Sequence, residues 1–215
     1  MNKNLTEIVY ILDRSGSMSG LEKDTIGGYN SFLKKQKAEP GQAVVTTVLF
    51  DDKCEIIHDR VDIRKVAPLT NRQYYARGMT ALLDAIGETV KRVSNRHKNA
   101  LPGEVPAKTI VVITTDGCEN ASMEYTYRMV ADMVRVQKEK YGWEFLFLGA
   151  NIDAIETAAD FGITKERAVT YAADEVGTEL NFASVCAVVS DMRASRPVTQ
   201  SWKQKIEEHL KKTER

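Results

Sequence analysis

The stretch Ile8-Val9-Tyr10-Ile11-Leu12-Asp13-Arg14-Ser15-Gly16-Ser17-Met18-Ser19-Gly20 constrains the fold more than any other part of this chain. It begins as an unbroken apolar run and ends in a Ser/Gly turn. An apolar run with no polar alternation reads as a strand covered on both faces, as strands of parallel sheets are. Asp13 stands where that strand ends, and the hydroxyls of Ser15 and Ser17 follow at alternate positions. Hard oxygen donors so closely spaced, on a loop leaving a buried strand, suit a hard divalent cation.

The rest of the chain repeats the alternation of strand and helix. Leu21 to Ala38 has helical spacing, with Ser19 and Glu22 forming an S-x-x-E capping box at its start. Gly27-Gly28 falls inside it and reads as a close approach of the helix to the sheet. Ala43–Phe50 and Cys54–His58 are β-rich runs joined by Asp51-Asp52-Lys53, too short a link for anything but an antiparallel hairpin. Asp59 to Arg77 reads as a loop with one helical turn. Helical spacing resumes from Ala81 to His97, so Thr80 stands at or just before a helix start.

Thr109–Thr115 is a second buried strand, ending at Asp116-Gly117-Cys118-Glu119-Asn120. A helix over Met123–Tyr141, a strand over Trp143–Leu148, a short helix over Ala154–Phe161 stopped by Gly162, a strand over Ala168–Tyr171 and a helix over Glu175–Ser195 follow. Gln200 to Arg215 is charged but carries Trp202, Ile206 and Leu210 at four-residue spacing, the mark of an amphipathic helix or tail that packs on the domain. The expected architecture is α/β: a Rossmann-like, doubly wound, mostly parallel six-stranded sheet with one antiparallel edge strand and helices on both faces. Residues 1–196 are expected to form the domain, and residues 197–215 an appended helix or tail.

In such a sheet the carboxyl ends of the parallel strands share one edge, and loops meet where the strand order reverses. If the hairpin lies on one side of the first strand and Thr109–Thr115 on the other, then Asp13, Ser15, Ser17, Thr80 and Asp116 converge. The aspartates supply charge and the hydroxyls coordinate while neutral. If few carboxylates bind it directly, such a cation keeps a water-filled position that another protein's carboxylate can take. Asp51 and Asp52 read as hairpin-turn residues, with an outer-shell role at the metal as the lesser option, Asn151 and Asp153 as capping residues near the same edge, and Glu119 and Asn120 as rim residues. His58, His97 and His209 show no metal spacing.

Asp13-Arg14-Ser15-Gly16-Ser17 matches the D-x-S-x-S motif of von Willebrand factor type A domains. Thr80 after Gly78, and Asp116-Gly117 after a β-branched strand, match the second and third parts of that family's metal ion-dependent adhesion site. The resemblance spans roughly Thr6 to Ser195 in the right order. It implies a divalent cation (Mg²⁺ or Mn²⁺, with Ca²⁺ as an alternative) and a protein-binding role without catalysis. The chain looks more like the stand-alone bacterial, intracellular branch than the secreted adhesins, and some bacterial relatives act beside AAA+ ATPases, metal chelatases or stress-resistance operons.

Composition is consistent with that reading. Lys plus Arg and Asp plus Glu are 30 each, so charge gives no reason to expect nucleic acid or an acidic membrane as partner. Cys54, Cys118 and Cys186 are scattered, which argues against a disulfide framework or a cysteine zinc site. With no apolar leader or membrane span in view, a cytoplasmic location is expected. The competing function is a Mg²⁺-dependent phosphatase-like hydrolase on the same scaffold. Against it, Ser15 stands where a second acid would be needed, and no phosphate-binding glycine loop is present.

Overall fold

The computed structural model describes residues 2–101 and 103–213. Its strands are β1 (Asn2–Asp13), β2 (Gln42–Phe50), β3 (Cys54–Asp62), β4 (Pro106–Thr115), β5 (Glu144–Ala150) and β6 (Ala168–Tyr171). Its α-helices are α1 (Glu22–Ala38), α2 (Leu82–Asn99), α3 (Tyr127–Tyr141), α4 (Ala154–Asp160), α5 (Glu175–Arg193) and α6 (Gln204–Thr213). The strands form one sheet in the order β3-β2-β1-β4-β5-β6. Every pairing is parallel except β2 with β3.

β1 is central because its side chains are apolar on both faces. Ile8, Tyr10 and Leu12 face one core cluster, shared with Phe32 of α1, Val185 of α5 and Ile206 of α6. Val9 and Ile11 face the other, shared with Ile86 of α2, Val134 of α3 and Ala158 of α4. Strand order reverses between β1 and β4, so the loops after these two strands leave side by side at the carboxyl edge.

Several local expectations change. Ser19 does not cap α1. A 3-10 turn over Gly16–Met18 and a left-handed Gly20 (φ 94°) place the helix start beyond its reach, and Leu21 occupies the capping position. Glu22 instead accepts the Gly20 amide at 2.7 Å. The close approach at the glycine pair is to a helix and not to the sheet: a Cβ on Gly28 would lie 2.2 Å from the Phe182 ring of α5, while Gly27 has nothing within 4 Å. β3 runs on to Asp62 through a bulge at Arg60, whose φ is 54°, so part of the expected loop is strand.

α3 begins at Tyr127 and not at Met123. The Asp84 carboxylate accepts the amides of Met123, Glu124 and Tyr125, holding that stretch out of the helix until Thr126 caps it.

Two of the three stripe residues are part of the core, and Leu210 is half-buried beyond it. Trp202 and Ile206 are buried with α1 and α5, and the Trp202 indole donates to the Glu166 carbonyl at 3.0 Å. α6 thereby lies along β6, the last strand of the sheet. Among the described residues no helix is long and apolar enough to cross a membrane.

Candidate metal centre

The carboxyl ends of β1 and β4 bring the expected oxygens together. Asp13 is the last residue of β1 and is fully buried. Its Oδ1 accepts the Ser15 amide at 2.6 Å, and its Oδ2 accepts the Thr115 hydroxyl at 2.5 Å. The turn this closes puts the hydroxyls of Ser15 and Ser17 3.0 Å apart. Ser17 Oγ then donates to Asp116 Oδ1 at 2.5 Å. Ser15 is buried and Ser17 is exposed, so the hydroxyl pair runs from the floor of the site to its mouth.

Thr80 joins from the loop before α2. It is buried, and it is not the capping residue of that helix, a position that Ala81 occupies. A Cβ placed on Gly117 would lie 3.0 Å from Ser17 Oγ and 3.1 Å from Thr80 Oγ1. The two hydroxyls therefore converge over a residue that has no side chain to separate them. All five expected residues thus meet at one edge of the sheet.

The electrostatics fit a cation. Burial pushes the Asp13 carboxyl up from 3.8 to about 6, with a smaller upward push from Asp116. Burial raises Asp116 as well. Asp116 Oδ2 is buried with no hydrogen-bond partner. An unpaired buried carboxylate oxygen is unfavourable unless something positive meets it. Among the described residues there is no cluster of three or more His, Cys, Asp or Glu side chains able to hold a metal. The candidate set is therefore two carboxylates and three hydroxyls, all hard oxygens, which is the donor chemistry of Mg²⁺, Mn²⁺ and Ca²⁺. A cation bound there would supply an electrostatic anchor for a carboxylate.

Sequence reasoning found only in part the residues that hold this set in place. Tyr74, from the long segment before α2, donates its hydroxyl to the Asp13 carbonyl at 2.5 Å. Asn120 brackets Thr80, accepting its amide on the side chain at 2.9 Å and donating its own amide to the Thr80 carbonyl at 3.0 Å. Glu119 is more than a rim residue: its carboxylate accepts the Leu83 amide in the first turn of α2 at 2.9 Å. Asp51 does serve the hairpin turn, accepting the Lys53 amide, but it also meets two arginines. Asp153 caps α4 as expected. The acids among these were visible in the sequence, but their partners lie 26 to 37 residues away, beyond any local pattern.

Neither a protein-family model nor a curated protein sequence matches the chain. Solved structures do. The vWF domain of the type V pili tip protein Mfa5 from Porphyromonas gingivalis matches over 93% of this chain and 99% of its own, with TM-score 0.61 and 11% identity. The chain has the von Willebrand factor type A fold. Proximal thread matrix protein 1 from the mussel byssus, with a zinc-occupied MIDAS motif, matches over 87% of this chain with TM-score 0.60 and 16% identity. This chain spans 46% of that mussel chain. The manganese-loaded TRAP protein of Plasmodium vivax matches over 85% of this chain and 74% of its own, with TM-score 0.59 and 15% identity.

Proposed function

We propose that this von Willebrand factor type A fold is a metal-dependent protein-binding module. A divalent cation, Mg²⁺ first with Mn²⁺ or Ca²⁺ as alternatives, is held by Asp13, Ser15, Ser17, Thr80 and Asp116. An acidic side chain of a partner protein completes its coordination. The observation that carries the reading is Asp116: one oxygen is tied to Ser17 while the other is buried without a partner beside a fan of hydroxyls. Two carboxylates neutralise a divalent ion and the neutral hydroxyls add no charge, so a partner's carboxylate is drawn by a coordination position that five side chains leave open to water.

Other features support the same reading. Tyr75, Met79 and Met123 are large, exposed and apolar on the loops around the site, as suits a protein partner. A binding role without catalysis is favoured because the three histidines are engaged elsewhere, with Thr47, Glu7 and Asp174. The solved neighbours with zinc and manganese favour a divalent ion here. Residues 1–196 are taken as the binding domain and 197–215 as its appended segment. A cytoplasmic partner such as an AAA+ ATPase or a stress-operon component is the class that the family resemblance suggests.

The test is capture of partners from the native lysate on immobilised protein, in Mg²⁺ and in excess chelator. Partners should be retained only in Mg²⁺ and lost with Asp13→Ala. Capture that persists unchanged in chelator overturns the proposal.

A further inference from the structure

Arg14 and Arg77 come from two different loops of the metal centre and meet on one carboxylate. Arg14 lies between Asp13 and Ser15, and its Nε bonds to Asp51 Oδ2 at 2.9 Å. Arg77 lies three residues before Thr80, and its Nε bonds to the same oxygen at 2.7 Å. The backbone carbonyl of Asp51 accepts the amide of Ala81, the neighbour of Thr80, at 2.9 Å. Two backbone bonds complete the seam: Arg77 N to Arg14 O at 2.9 Å, and Gly16 N to Gly78 O at 3.1 Å.

Asp51 is placed for this task. It follows directly on β2, whose last residue Phe50 pairs in register with Asp13. Its own position is therefore set by the sheet. Thr80 lies in no such element, since residues 66–81 form neither helix nor strand, and Asn120 ties it only to the loop after β4 and not to the turn after β1. Asp51 and Arg14 are almost fully buried. Burying a charge pair is offset by desolvation, so the pair is poorly explained as a source of stability and better explained as a determinant of geometry.

We propose that Asp51 is a positioning residue that sets the cation affinity of the site, holding the Ser15–Ser17 turn and Thr80 at a fixed separation through Arg14, Arg77 and Ala81. The inference rests on reading Asp13, Ser15, Ser17, Thr80 and Asp116 as a metal centre. Asp51 touches none of these side chains and acts only through the loops that carry them. Such a role has a signature that a general structural role lacks. Mg²⁺ demands near-octahedral placement of its oxygens, whereas Ca²⁺ tolerates irregular shells. Loosening the loops therefore penalises Mg²⁺ more than Ca²⁺.

The experiment is calorimetric titration of the full chain with Mg²⁺ and with Ca²⁺, for wild type, Asp51→Asn, Arg77→Gln and Asp13→Ala. Arg77 is partly exposed, so its variant keeps the test alive if Asp51→Asn fails to fold. Arg64→Gln, which removes an exposed arginine paired with Asp62, is the control for loss of charge. Asp51→Asn and Arg77→Gln should weaken Mg²⁺ binding by about 10- to 100-fold, the usual effect of removing a group that orients metal ligands. Ca²⁺ binding should weaken less, and Arg64→Gln should match wild type. Wild-type Mg²⁺ affinity in both variants, with binding still lost in Asp13→Ala, overturns this inference alone. Equal weakening for both ions also overturns it. No cation uptake by the wild type overturns the metal centre itself.

Discussion

The hydroxyl of Ser17 donates to Asp116 Oδ1 across 2.5 Å, closing a contact between residues 99 positions apart in the chain. That single bond joins the loop after β1 to the loop after β4. It also leaves the second Asp116 oxygen buried and unanswered.

Removing that charge should have opposite effects with and without metal. Asp116→Asn keeps an acceptor for Ser17 and abolishes the buried negative charge. The metal-free variant should melt above metal-free wild type. Mg²⁺ at about 100 times its dissociation constant should stabilise wild type by about 2.7 kcal/mol, or about 5 to 10 °C, and leave the variant unmoved. Differential scanning fluorimetry with and without chelator reads both effects. A variant that responds to Mg²⁺ as wild type does removes Asp116 from the ligand set.

Metal uptake should depend on pH through Asp13. Burial raises its carboxyl to about 6, above the 3.8 of the free side chain. A raised acid stabilises the metal-free fold below the unfolded value and loses that contribution as pH rises through the folded value. Metal-free protein should therefore lose stability, on account of this group, between about pH 4 and about pH 7. A cation competes for the same oxygens as the proton, so Mg²⁺ affinity should fall by about tenfold per unit below pH 6. Titration calorimetry at pH 5, 6 and 7 checks this, and a flat affinity contradicts it.

Gly117 should tolerate no side chain if the site binds metal. A methyl group there would enter the gap between the Ser17 and Thr80 hydroxyls, at 3.0 and 3.1 Å. Gly117→Ala should fold, because the neighbours are side-chain oxygens at the site's mouth, yet bind Mn²⁺ at least about tenfold more weakly. Mn²⁺ titration followed by electron paramagnetic resonance gives the number.

The adjacent glycines of α1 should respond in opposite directions. Gly27→Ala meets open space and should stabilise by about 0.5 to 1 kcal/mol through helix propensity. Gly28→Ala drives its methyl into the Phe182 ring and should destabilise by about 1 to 3 kcal/mol. Urea denaturation of the two variants separates them.

What the sequence made legible follows from where each signal resides. The apolar runs at Ile8–Leu12 and Thr109–Thr115 identify strands because burial on both faces leaves a continuous local pattern. Asp13, Ser15 and Ser17 declare themselves by spacing within one turn. Thr80 and Asp116 could be placed only once the strand order was inferred, since nothing local distinguishes them from turn residues. Tyr74 was not legible as part of the site, Asn120 only as a residue of its rim, and Asp51 chiefly as a turn residue. Each acts through a bond to a residue 26 to 61 positions away, and such bonds exist only after the chain has folded. The capping box at Ser19 was misleading for a related reason: the 3-10 turn over Gly16–Met18 displaces the helix start.

The bulge at Arg60 and the helix along β6 have a joint consequence for how copies of this protein can meet. A bare strand edge is a template for another chain. At one margin β6 is only four residues long, with α6 packed against it, and at the other the left-handed Arg60 interrupts the ladder of β3 among charged neighbours. Neither margin offers a long, regular row of free amides and carbonyls. Lateral growth by strand addition is thereby disfavoured at both margins, and the loops at the carboxyl end are the part of the sheet's rim that such pairing does not involve.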